Sequence, residues 1–192
     1  MRRIPVFATL VVLAAVAVMV WLGLWQIERM HEKEALLARY AAAQAMSADV
    51  PFPQDEEAAQ PVLYRHARVE CARVTALTAI AGRNAAGEAG QAQVAHCLTA
   101  GGARIDVVLG WSRDLRVPEW RGGTVMGTVA PGPRLVADPP VAGLAANARP
   151  DPADIPNNHW SYAVQWFLFA GVALVIYALA VAKRLAAGQA PR

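Results

Sequence analysis

Two uncharged apolar stretches of 21 residues each, Ile4–Leu24 and Tyr162–Ala182, stand near the two ends of this chain. At about 1.5 Å rise per residue each makes a helix roughly 31 Å long, enough to cross a bilayer core. So small a protein has no soluble core able to hide both of them. Composition agrees: 17% of residues are charged, against about 25% in an ordinary soluble domain. The first stretch exceeds the apolar region of a cleaved signal peptide, although Ala43-Gln44-Ala45 has the form of a cleavage site. Arg2-Arg3 is followed by Ile-Pro, a poor twin-arginine signal, so an uncleaved anchor is expected.

Charge placement sets the expected orientation. Lys183, Arg184 and Arg192 follow the second span, whereas Arg149 alone lies in the twenty residues before it. Basic residues stay on the cytoplasmic side, which puts the C-terminus there. The first span is ambiguous by itself, with Arg2 and Arg3 before it and Arg29, Lys33 and Arg39 after it. Two spans place both termini on one side, so the segment between them is expected outside the inner membrane, in the periplasm. All 15 acidic residues lie in that segment beside 13 basic ones, leaving it at −2 despite the chain's +3. The net charge therefore gives no argument for nucleic-acid binding; membrane lipid is the expected surroundings of the spans.

The expected organisation is a first transmembrane helix over residues 1–25 and a helical extension over 26–50. A β-rich domain over 51–157, a second transmembrane helix over 158–182 and a cytoplasmic tail over 183–192 follow. This is an α+β external domain tethered by a two-helix hairpin. Trp25–Arg39 has no Gly or Pro, and the helix is expected to run to about Ala45, before Pro51-Phe52-Pro53. Pro51–Pro61 reads as a loop. Strands are expected over Val62–Cys71, Gln93–Thr99, Arg104–Trp111 and Gly123–Val129, with turns at Gly82–Gly90 and Gly101-Gly102. Pro131–Pro156 reads as an extended return to the membrane. Cys71 and Cys97 either remain two buried thiols or form a bridge. An external location favours the bridge, worth roughly 3 kcal/mol in the chain-entropy model.

Candidate chemistry gathers where the two spans would meet the outer surface. Asn157 or Asn158 is a favoured N-cap for the second helix. His159, Tyr162, Trp166, Phe169 and Ala173 then share one helical face. The positive end of a helix favours the neutral imidazole, and a neutral histidine above aromatics suits an axial ligand of haem iron. The same aromatics serve equally as interfacial anchors. Trp21 and Trp25 at i,i+4, with Gln26 and Arg29, sit at the same surface on the first helix. There Arg29 could meet a haem propionate or simply snorkel. His31, His66 and His96 are weaker candidates, and Trp111 reads as a core aromatic. No nucleophile-elbow, zinc-protease or paired-carboxylate pattern occurs, so hydrolytic chemistry has no residue-level case.

Leu22-Gly23-Leu24-Trp25-Gln26-Ile27-Glu28-Arg29-Met30-His31-Glu32-Lys33 resembles the LGxWQxxRxxxK stretch of the Surfeit locus protein one family. Asn158-His159-Trp160-Ser161-Tyr162-Ala163-Val164-Gln165-Trp166-Phe167 is similar to its HxxYAxQWF stretch. Gly110-Trp111 matches part of an Arg-Gly-Trp segment, with Leu109 where that arginine is usual. The resemblance implies an assembly factor, and not an enzyme, for haem–copper cytochrome c oxidase. It implies help with inserting haem a into the catalytic subunit, with that subunit and haem a synthase as partners and His159 at the position tied to haem. The readings held beside it are a haem-free scaffold for oxidase subunits and an external sensor, for which the cytoplasmic ends are too short to carry an output domain.

Overall fold

The computed structural model describes residues 5–114 and 118–187. The terminal basic residues Arg2, Arg3 and Arg192 used in the charge argument lie outside the described residues. The chain divides into two units, Met1–Leu36 with Pro156–Arg192, and Leu37–Ile155.

The first unit is a helix pair. Helix α1 runs unbroken over Val6–Gln44, close to the expected end, and its last two turns belong to the second unit. Gly23 is its one glycine and no proline interrupts it, so nothing removes an i→i−4 bond. Helix α3 spans His159–Ala186 and closes with Lys183 and Arg184 in its last turn, where cations complement the negative helix end. The shielded positions of α1 include Thr9, Val12, Val16, Met19, Gly23, Gln26 and Met30. Those of α3 include His159, Ala163, Trp166, Ala170, Ala173 and Tyr177. Both sets alternate steps of three and four, the repeat of a helix–helix seam. The Thr9 and Tyr177 hydroxyls hydrogen-bond, and a Cβ on Gly23 would fall 2.7 Å from the Phe167 ring. Contacts that pair 9 with 177, 23 with 167 and 26 with 159 make the helices antiparallel.

The second unit is built on β1 (His66–Cys71), β2 (Arg73–Arg83), β3 (Ala89–Leu98), β4 (Arg104–Ser112), β5 (Gly123–Ala130) and β6 (Arg134–Ala137). They form one sheet in the order β1-β5-β6-β4-β3-β2. Every pairing is antiparallel except β4 with β6. The edge strands β1 and β2 are separated by the single residue Ala72, so the sheet must roll until its edges approach. Cys71 of β1 and Cys97 of β3 are joined as a disulfide, although three strands lie between theirs in the sheet. One face carries Val69, Val125, Val129, Leu135, Val107 and Ile105, each 6% exposed or less, and is the core. At the opposite end Ala145 bonds Trp111 of β4, while Ala146 and Ala148 bond Ala85 and Arg83 at the end of β2. That bridge curls the hairpin tip over.

The four strands expected from alternation are present as β1, β3, β4 and β5. Three expectations need correction. Gly82 and Gly90 are a paired position of the β2–β3 hairpin. The turn lies between them, where Asn84 Oδ1 accepts from the Ala86 and Glu88 amides. Pro51–Pro61 holds a short helix α2 (Glu56–Ala59), capped by Asp55 through the Ala58 amide. The return segment contains β6, whose four residues gain ladder bonds from both neighbours.

Candidate functional site

His159 opens α3, and its Nδ1 lies 2.8 Å from Gln26 Oε1 on α1. An amide oxygen can only accept, so Nδ1 carries a proton, and in the neutral ring the Nε2 lone pair is left unused. Both side chains are partly buried. Gln26 is placed by the three-four seam of α1, and His159 by the matching seam of α3. The pair therefore joins residues 133 apart in sequence without any loop contributing. A histidine whose other ring nitrogen is fixed by a hydrogen bond is the usual form of a metal-ligating imidazole.

The remaining sequence candidates divide into two groups. Trp166 is partly buried and meets Phe169 edge-on at 6.3 Å between ring centroids. Trp25 and Tyr162 are exposed on the flanks of the pair. Arg29 is exposed and pairs with Glu32 one turn on, so its guanidinium is occupied at the surface. The expected face of His159, Tyr162, Trp166, Phe169 and Ala173 is split. His159, Trp166 and Ala173 lie in the seam, while Tyr162 and Phe169 turn outward. The expected asparagine cap is met in position and not in bonding: Asn158 is the N-cap residue of α3, but its side chain makes no capping bond.

Of the other histidines, His31 is exposed and His66 is partly buried on β1. His96 is held between Asp106 Oδ1 at 2.7 Å and the Thr78 hydroxyl at 2.9 Å, across β4, β3 and β2. No sequence pattern joins those three; only the strand registers align them. No group of three His, Cys, Asp or Glu side chains able to hold a metal ion occurs among the described residues. A metal held here by this protein alone would have few protein ligands, as haem iron does. His159 fits that demand by donor type and tautomer. The Gly23–Phe167 contact was missed in the sequence, although a glycine in an otherwise apolar span is a sign of close helix approach.

Taken together, the chain is a β-rich unit flanked in sequence by two long apolar helices, with His159 hydrogen-bonded to Gln26 at the head of the second. The chain belongs to the SURF1 family, whose family model matches residues 13–171. The match bears out the resemblance read from the two span motifs, and it includes Trp25, Gln26, Arg29, His159, Tyr162 and Trp166. The family is associated with cytochrome c oxidase assembly. No curated protein matches the chain.

Proposed function

We propose that this protein is a membrane-anchored assembly factor for a haem–copper cytochrome c oxidase, acting where haem a enters the catalytic subunit. The observation that carries the reading is the His159–Gln26 hydrogen bond, which leaves Nε2 as a free donor at the head of the helix pair. Haem a is cargo in this reading, received from haem a synthase and released to the oxidase. Its iron would take the Nε2 lone pair. Gln26 holds the ring still, Trp166 offers an apolar wall, and Trp25 and Tyr162 flank the site. Arg29 can meet a propionate once it leaves Glu32. A single protein ligand suits a carrier that must let go.

The membrane setting rests on the helix pair itself. Phe7, Leu10, Trp21, Leu168, Val175 and Leu179 are each more than half exposed, an apolar surface that lipid would cover. Lys183 and Arg184 at the end of α3 favour a cytoplasmic C-terminus and a periplasmic sheet unit.

Expression in a host that makes haem a, followed by purification in detergent and an absorption spectrum, tests the reading. The wild-type chain is expected to carry bound haem and His159→Ala to lack it. Gln26→Leu should retain roughly a tenth as much, the usual cost of removing a partner behind a metal ligand. A wild-type protein free of haem would remove the carrier role and leave the haem-free scaffold.

A further inference from the structure

The outer face of the sheet, away from the disulfide core, holds a cavity of about 410 Å³. Its floor is apolar, made by Ile80, Ala92, Val108 and Val136 from four strands, and the segment Asn147–Ile155 walls one side. A second cavity of about 450 Å³ is lined in part by the same Val136 and Asn147–Pro150. Small-molecule sites are of this size, but an apolar floor laid across four strands also suits an extended chain.

Two polar side chains at the trough, Asn147 and Arg134, lack partners among the described residues, while Asp151 and Asp154 also line the first cavity. Asn147 is 8% exposed, lines both cavities, and neither its amide nitrogen nor its amide oxygen has a hydrogen-bond partner. A buried primary amide left unmade is costly, and an occupant that completes it gains accordingly. Its complement is an extended backbone, in which the N–H and C=O of one residue point to the same side and offer one donor and one acceptor. The arginines differ in commitment. Arg83 donates to the Gly87 carbonyl and Arg149 to Asp138. Arg134, on β6 at the first cavity, makes no ion pair or side-chain hydrogen bond among the described residues. Tyr64 lines the same cavity with φ 65. A bulky residue in the left-handed region is a strained feature of the sort found at ligand clamps.

We infer that this trough binds an extended peptide segment of a partner protein, seating an apolar side chain on the Val108–Val136 floor. The N–H and C=O of one peptide residue pair with the Asn147 amide, and an adjacent carboxylate pairs with Arg134. The inference is independent of haem, and its test separates the two. The full chain in detergent is titrated with a fluorescein-labelled peptide of alternating valine and glutamate, and with its valine–lysine counterpart, followed by anisotropy. Saturable binding of the acidic peptide is expected, roughly tenfold tighter than the basic one. Asn147→Leu should weaken it roughly tenfold, and Arg134→Gln, a rim change that spares the fold, should erase the preference for acid. His159→Ala should bind the peptide normally. No saturable binding, equal binding of both peptides, or an unchanged affinity in Asn147→Leu would overturn the inference. Laurate, a carboxylate without a peptide group, serves as the competing probe: tighter binding of laurate than of the peptide would also overturn it.

Discussion

The helix pair and the rolled sheet solve opposite problems with the same few residue types. In the sheet unit the apolar side chains are hidden, with Val107, Leu109, Val129 and Leu135 fully buried. In the helix pair they face outward, and only Ala163 and Ala170 of α3 fall below 5% exposure. Volume is therefore what the sheet needs at its interior, and smallness is what the helices need at theirs. Water drives the first arrangement by burying area. The second has no such drive where lipid surrounds it, and relies on close contact and on polar pairs such as Thr9 with Tyr177 and Gln26 with His159.

The largest expected break in this comparison is at the disulfide. Cys71–Cys97 ties strands that the sheet order keeps apart, across a sequence separation of 26. Replacing both cysteines by serine should cost the sheet unit about 3 kcal/mol through a freer unfolded chain. Urea titration of the full chain in detergent, followed by amide hydrogen exchange of β3 and β4, should show an earlier midpoint. The far-ultraviolet helix signal should persist beyond it. Coincident loss of both signals would mean the two units do not unfold separately.

A smaller change sharpens the helix side. Ala163 is completely buried against α1, so Ala163→Leu has no room and should weaken the pair by about 1–3 kcal/mol. Leu168, 60% exposed on the same helix, should tolerate Leu168→Ala with little loss. Unfolding by an increasing mole fraction of denaturing detergent compares the two. Equal effects would mean that the seam is misplaced and that smallness carries no weight at Ala163.

How much of this was legible follows from what each element depends on. The helices were readable because a span needs only length and apolar composition, both local properties. The strands β1, β3, β4 and β5 overlap the four stretches read as strands. Strand β2 did not show: its Val74, Leu77 and Ile80 recur every three residues and give no alternation, and its ten-position pairing with β3 is what makes it a strand. Strand β6 is four residues set between Pro133 and Asp138-Pro139, and its ladder comes from β4 and β5. At the site, His159 and Gln26 were each visible as polar residues at a span's edge. Their bond was not, because which seam residue of α1 meets the head of α3 depends on the packing offset of two helices. The Thr78–His96–Asp106 chain is hidden for the same reason, being a product of register.

The smallest effect distinguishes the units by pH. Tyr64 is 2% exposed, and burial holds its phenol above the ordinary value of 10.0, with lesser contributions from Tyr40, Asp151 and Asp154. The folded sheet unit thus keeps this proton at a pH where the unfolded chain gives it up. Its contribution to stability is full below about pH 10 and declines as the pH rises through the raised folded value. Tyr64→Phe has no proton to lose and should escape that component of the decline. Urea midpoints for both proteins between pH 8 and 11 should run parallel at first, after which the wild type should fall relative to Tyr64→Phe. Parallel lines throughout would show that Tyr64 ionises as readily in the folded unit as in the unfolded chain, and that burial at the trough's edge exerts no hold on it.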